Sequence, residues 1–486
     1  MRRLSGILLS VAVLSAAVGV AQTPAEEYEA FRRGVNERYD SFRRECNAQY
    51  AEFLKTVWHD YSARPAVPSR DKYKRVPPVL YDGNAAPVKP VEVTPREVPV
   101  VEEPPQPMPV APVRETPAEA DRFEFDFYGL RCGVRMPPEA KLRGGGQVTA
   151  DRLSRDWNAL CTPGMDNALR DCLEARLRYR LCDWAYLQFL DRLGREYCGD
   201  ADASLFVTAF LFCQSGYQMR LAIDSGGRLV LLYGSRHSVF DTPYFYVDGL
   251  SLYPYGSKAE SLSICPMSFE GEKPLSLLIA QEQDLGGGMS EPREIKSKRY
   301  ADVVASASVP QQLVEFYNGY PASAVDHDPM TKWAICAEAP FSRATAEALY
   351  AGLRPRLEGL TPLEAAQRLL NWVQTGLVYE YDDKVWGGDR AFFAEETLYY
   401  PYCDCEDRAI LFSRLVRDLL GLEVALVYYP GHLATAVCFG DDAEGDAMTV
   451  DGRRFLVCDP TYIGAPVGRQ MRGVDGSRAE AILLKK

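Results

Sequence analysis

The run CEDRAILFSRLVRDLLG (residues 405–421) decides the fold of the C-terminal part of this chain. It predicts a helix from Cys405 to Leu420, ended by Gly421. Three strand-like runs follow, at 423–429, 432–439 and 454–459. If the last two pair antiparallel across the turn 440–452, the start of one lies beside the end of the other, and His432 and Asp459 become neighbours. Cys405 occupies the first helical turn, where unsatisfied N–H groups and the helix dipole favour thiolate. Such a site lowers a cysteine pKa from ~8.5 towards ~3.5–7.5 when a cationic histidine helps. Glu406 and Asp407 act against that field, so a histidine partner is required. Cys405, His432 and Asp459 can then serve as nucleophile, base and orienting carboxylate for thiol acyl transfer. Cys403 is the rival nucleophile, but it precedes the helix.

Upstream within a C-terminal domain at 341–486, residues 344–357 and 362–374 read as helices. The second has Thr361 and Glu364 in capping-box positions and Pro362 in its first turn. Residues 377–381 form a short strand, and 382–404 a long polar and aromatic loop. A mixed α+β region at 121–340 comes before this domain. Leu169, Leu173, Leu177, Leu181, Trp184 and Leu187 recur at helical spacing through 166–193. Strand runs follow at 219–223, 229–233 and 245–252, with turns expected at Gly226–Gly227 and, within the third, at Asp248–Gly249. Residues 284–299, with Gly286, Gly287 and Gly288, read as a flexible loop.

Fourteen prolines fall between Pro65 and Pro117, so 61–120 is predicted to be an extended Pro-rich linker. Before it, residues 22–60 read as an amphipathic helix. Phe31, Val35, Tyr39, Phe42, Cys46, Tyr50, Phe53 and Val57 share one face, which packs on its own protein or offers a surface to an envelope partner. The first 21 residues read as a signal peptide. They comprise Arg2 and Arg3, an apolar run from Ile7 to Val18 too short to span a bilayer, and small residues before Gln22. That predicts an exported protein with no membrane span after cleavage, in a periplasmic, outer-membrane-associated or extracellular setting.

A length of 486 residues requires two or more domains. The net charge of −12 disfavours a nucleic-acid surface. Thirteen cysteines cannot all pair, which leaves at least one free thiol. With four histidines (His59, His237, His327 and His432) and no zinc-type spacing, neither a metal nor a cofactor is expected.

The stretch Cys403-Asp404-Cys405-Glu406-Asp407-Arg408-Ala409 resembles the Gly-Asp-Cys-Glu-x-x-Ala segment of transglutaminase-like (papain-like) proteins, with Cys403 in place of glycine. Gly431-His432-Leu433-Ala434-Thr435-Ala436-Val437 resembles their histidine strand, without the usual aromatic after the histidine. Cys458-Asp459-Pro460-Thr461-Tyr462 is similar to their Asp-Pro-Thr segment. The string 379–409, with Trp386-Gly387-Gly388-Asp389-Arg390-Ala391-Phe392-Phe393, resembles exported members from Bacteroidetes. The resemblance spans roughly 360–465. It implies a thioester intermediate on a peptide or protein substrate, and an oxyanion donor in addition to the Cys405 N–H. Trp372, Gln374 and Trp386 are the candidates for that donor. Hydrolysis is expected over crosslinking, since water is the default acceptor of a thioester. A non-catalytic binding or scaffold protein that keeps the fold is the alternative.

The middle region echoes this plan. Ala203-Ser204-Leu205-Phe206 and Gly216 parallel Ala409-Ile410-Leu411-Phe412 and Gly421. His237 would stand for His432, and Gly199 or Asp200 for the cysteine. A degenerate second copy is therefore expected to superpose helix on helix and strand on strand.

Overall fold

The computed structural model describes residues 24–69, 75–83, 88, 90–97, 122–142, 144–388, 390–440 and 443–485, with side chains in the first helix described at residue 34 and from residue 41 onward. The signal segment 1–21 lies outside them. The fold is α+β. Among the described residues no helix is long and apolar enough to cross a membrane. All thirteen cysteines are free thiols, eight of them buried.

The first helix, Pro24–Thr56, packs along Ala150–Leu160. Its buried face is rotated from the one the apolar spacing suggests. Tyr50, Ala51 and Leu54 are buried with Arg43 and Asn47, whereas Phe42 is 52% exposed. Polar partners set that rotation. Arg43 Nε donates to Gln214 Oε1 at 3.1 Å, and Trp157 Nε1 donates to Asn47 Oδ1 at 3.0 Å. Hydrogen bonds of this kind fix a helix face that hydrophobic periodicity cannot report. Instead of one helix over 166–193 there are two, Pro163–Arg178 and Asp183–Cys198, separated at Arg180, whose φ of +53° no helix continues through.

Two sheets follow, each built on the same plan. In the first, helix Ala201–Gln214 lies on the antiparallel pair Met219–Asp224 and Leu229–Gly234. Across that sheet the order is His59–Ser62, Ser261–Ile264, Met219–Asp224, Leu229–Gly234, Leu250–Pro254 and Phe245–Val247. In the second, helix Cys405–Leu420 lies on the antiparallel pair Val424–Tyr429 and His432–Val437. Here the order is Glu480–Leu483, Val424–Tyr429, His432–Val437, Arg453–Cys458 and Ala447–Val450. Each helix is preceded by another packed against it, Asp183–Cys198 in the first case and Pro362–Gly376 in the second. The hairpin turns correspond as well: Asp248–Gly249 and Asp451–Gly452 all have positive φ, the geometry of a two-residue hairpin turn.

Residues 382–404 carry two short helices, Asp382–Val385 and Ala394–Tyr399, and the strand Tyr402–Cys403. The expected capping box forms: Glu364 N–H donates to Thr361 Oγ1, and Thr361 N–H to Glu364 Oε2.

The Pro-rich segment departs furthest from expectation. Its described residues are extended, but they are built into the fold instead of separating the first helix from the rest. Val91–Val93 pairs parallel with Ala447–Val450 at one edge of the second sheet, and Arg96–Glu97 pairs parallel with Glu480–Leu483 at the other. Three peptide steps separate Val93 from Arg96 and reach at most about 11 Å. The outer strands of a flat five-stranded sheet would stand ~19 Å apart. The sheet is therefore rolled, and residues 91–97 zip its edges together around Val93, Val427, Ala436, Met448, Phe455 and Ala481. Pro95 sits at the crossing, where no ladder N–H is needed.

The glycine-rich stretch after Asp284 is also packed, and Arg293–Lys296 pairs with Val304–Ala307. A Cβ on Gly286 would lie 2.4 Å from Gly129 O. Gly286→Ala is expected to destabilise the protein by ~1–3 kcal/mol, read as a lowered urea midpoint. An unchanged midpoint would show that this backbone contact yields freely.

Candidate functional site

Three chain ends converge where the second sheet meets its helix. Thr435 pairs with Cys458 and Val437 with Leu456, so the start of one strand faces the end of the other. His432 Nε2 and Asp459 Oδ2 are 2.9 Å apart. Asp459 is aimed by its own turn, its Oδ1 accepting from Thr461 N–H at 2.8 Å and Tyr462 N–H at 3.2 Å. His432 Nδ1 is buried without a hydrogen-bond partner, and the Tyr429 ring stacks on the imidazole at 6.3 Å. The Leu433 backbone N–H, one residue from His432, points at the Cys405 sulfur.

The thiol itself is engaged elsewhere. Cys405 Sγ donates to Glu406 Oε2 at 3.1 Å. Burial, then the Glu406 and Asp404 charges, push this thiol well above its ordinary value, while the Leu433 N–H opposes them. Burial also raises the Asp404 carboxyl, reinforced by Glu406, Asp407 and Asp382. Glu406 goes the other way. Burial pushes it up, but the Asp404 hydrogen bond, the Lys332 charge and the Cys405 hydrogen bond bring it below the usual range. The two carboxyls are thus pushed apart, Asp404 towards its protonated form and Glu406 towards the charged form beside the sulfur. Asp407 accepts from the Asp404 and Phe392 N–H groups at 3.0 and 2.9 Å. Asp382, Asp404 and Asp407, and likewise Asp404, Cys405 and Glu406, lie close enough to share a cation. Arg75 and Lys332 already bring positive charge there, so we assign these groups no metal.

Of the expected oxyanion donors, none faces the sulfur. Gln374 Nε2 is shared among the carbonyls of Asp459, Tyr462 and Ala465 at 2.8–3.2 Å, and its Oε1 accepts from Gly464 N–H. Trp372 Nε1 donates to Ile295 O at 2.9 Å in the core. Trp386 is 39% exposed and packs on Tyr400. Gln374 is instead the bracket that shapes the Asp459 turn. Two contributors escaped the sequence reading. Arg408, one turn beyond Cys405, is buried and donates to the carbonyls of Gln374, Leu377 and Pro460. Its only signal was a charge on an otherwise apolar helix face. The Tyr379 hydroxyl is buried without a partner, its pKa raised by burial and then by Cys405.

A strap closes the site. Arg75 Nη1 stands 3.2 Å from Asp404 Oδ2, and Val76 N–H donates to Gly431 O at 2.9 Å. Val79–Leu80 then pairs parallel with Tyr462–Ile463. One stretch of the Pro-rich segment thus lies against the neighbours of all three residues. Cys405, His432 and Asp459 are 4%, 1% and 2% exposed.

Comparison with protein-family models and with curated protein sequences gives no match for this chain.

Two outcomes follow from this geometry. Arg75→Ala is expected to speed alkylation of Cys405 by about tenfold, equivalent to ~1.4 kcal/mol of lost closure, measured by mass spectrometry of the Cys405 peptide. Glu406→Gln removes the negative charge that raises the thiol, so the Cys405 pKa falls. Below that pKa the thiolate fraction at a given pH then rises, and the pH profile of alkylation shifts to lower pH. A shift to higher pH would overturn the charge assignment.

Proposed function

We propose that this protein is a cysteine-dependent acyl-transfer enzyme of the transglutaminase-like (papain-like) type, acting on a peptide or amide and releasing product by hydrolysis. The observation that carries the proposal is the His432–Asp459 pair with its second imidazole nitrogen unpartnered, beside a cysteine at a helix start. The three sequence motifs around Cys405, His432 and Asp459 support it further. Export, with an envelope or extracellular setting, belongs to the same proposal and rests on the first 21 residues.

In the proposed cycle, the strap lifts and the Cys405 side chain turns from Glu406 towards His432. The thiol proton passes to Nδ1, and the thiolate attacks the substrate carbonyl carbon. Asp459 holds the imidazolium through Nε2–H. The Cys405 N–H and the Tyr379 hydroxyl are the donors available to the oxyanion once Trp372 and Gln374 are otherwise engaged. The imidazolium proton leaves with the amine, giving a thioester. A water deprotonated by His432 then releases the acid and restores the thiol.

The alternative, a binding or scaffold protein with the same fold, draws on the closed site and the Cys405–Glu406 bond. A site filled by Tyr399, Tyr400 or Tyr402 would favour that reading, but Tyr399 and Tyr402 are exposed, and Tyr400 packs on Trp386 and donates to Asn318. Thiol-directed probe labelling separates the readings when run on the Arg75→Ala protein with and without Cys405→Ala. Enzymatic function requires labelling that Cys405→Ala abolishes while the thermal melt is kept. Equal labelling of both proteins would sink it. In any active preparation, Tyr379→Phe should lower kcat by about 10²-fold with little change in KM, and an unchanged kcat would exclude Tyr379 as a donor.

A further inference from the structure

The two sheets share a plan, so each residue of the Cys405 site has a counterpart in the first sheet. Asp200 caps Ala201–Gln214 as Asp404 precedes Cys405, which puts Ala201 in the cysteine position. Leu229 opens its strand as His432 opens the corresponding one. Pairing Leu232 with Pro254 matches pairing Thr435 with Cys458, and this brings Tyr255–Gly256 to the place of Asp459. His237 lies in a separate short strand paired with Ser323–Val325, so it is no counterpart of His432. The first sheet therefore has none of the three reacting groups.

The place they would occupy is open. A cavity of about 490 Å³ lies there, walled by Ala201, Leu229 and Tyr255–Gly256. It adjoins a second cavity of about 360 Å³, with Asp191, Arg195 and Tyr255 as the common wall. Sharing that wall, they offer two adjoining subsites, an arrangement that suits an extended chain.

The charge of the first cavity sets what that chain must carry. Asp191 pairs with Arg195 at 2.9 Å, and Asp202 with Arg228 at 3.5 Å. Asp200 and Asp224 also line it, and among the described residues no cation pairs with either. Asp200 accepts from Ala203 N–H and Gly145 N–H, and Asp224 from Gly226 N–H and Arg228 N–H. These backbone bonds leave two uncompensated negative charges in a concave wall, where the field is focused.

We propose that this groove binds an extended peptide through a basic side chain, a lysine ammonium or arginine guanidinium held between Asp200 and Asp224. The first half of the protein would then recognise a cationic peptide at the position where the second half holds Cys405, His432 and Asp459. Nothing in this inference requires Cys405 to be catalytic.

The test uses the full chain carrying Cys405→Ala, so that no turnover intervenes, and isothermal titration with end-blocked peptides of about six residues. A peptide with a central lysine should bind, and more weakly as salt rises. Its norleucine counterpart should bind at least tenfold more weakly. Asp200→Asn with Asp224→Asn keeps a capping oxygen at each position while removing both charges, and should cost at least tenfold for the lysine peptide at an unchanged thermal melt. If that pair unfolds the protein, Ala201→Trp, which fills the cavity from the first turn of a helix, should abolish binding instead. Equal binding of the norleucine peptide, unchanged binding in a folded charge variant or in Ala201→Trp, or no binding at millimolar peptide would each overturn the proposal. Binding of lysine amide as tight as that of the peptide would overturn the assignment to a chain.

Discussion

Strand Arg453–Cys458 ends one residue before Asp459, and its antiparallel register on His432–Val437 governs the C-terminal half. A slip of one residue would turn every inward side chain outward, moving Val437 and Cys458 from the helix side of the sheet and Ala436 and Val457 from the opposite core. Burial on both faces therefore fixes the pairing, and the pairing fixes the 2.9 Å contact between His432 and Asp459. The Gln374 and Arg408 brackets secure the same end of the sheet. Gln374 is a buried donor shared among carbonyls of the Asp459 turn, and Arg408 joins Pro460 of that turn to the carbonyls of Gln374 and Leu377. Removing either would leave several buried acceptors unpaired, each costing ~1–3 kcal/mol.

The cysteine lies at the junction of two opposed electrostatic influences. Backbone N–H groups at the helix start favour thiolate, whereas burial and then the Glu406 charge disfavour it. In the closed arrangement burial and Glu406 win and the sulfur remains a thiol donating to Glu406. A resting site of this kind protects the sulfur from adventitious oxidation, because susceptibility follows thiolate character and exposure.

The parts of this structure that were legible in the sequence are those set by local chemistry. The Thr361–Glu364 cap, the left-handed Gly421 and the Asp248–Gly249 break each follow from one or two residues. The order of helix and strands around Cys405, His432 and Asp459 followed from periodicity. What escaped depends on partners distant in the chain. Gln374 resembled a free amide until its three carbonyls were in place. The buried face of the first helix is set by Gln214 and Trp157, which no spacing within residues 24–56 reveals. Proline density signals extended backbone correctly, yet it says nothing about whether that backbone finds a sheet to join. In the middle region, assigning His237 to the place of His432 failed because sequence order alone cannot distinguish the second strand of a hairpin from the short strand after it.

The zip formed by residues 91–97 has a consequence for how the chain is made. These residues are made long before the strands they bridge, Ala447–Val450 and Glu480–Leu483. Until residues 91–97 are in place, the rolled sheet has two unpaired edges, the kind of surface that recruits strands from other molecules. Closing the second half is a loop of very long range, slow by its contact order. It brings residues 91–97 into place, while the strap over Cys405 is held separately by Gly431 and Tyr462–Ile463. The edges of the sheet and the cover of the thiol are thus served by neighbouring stretches of one segment.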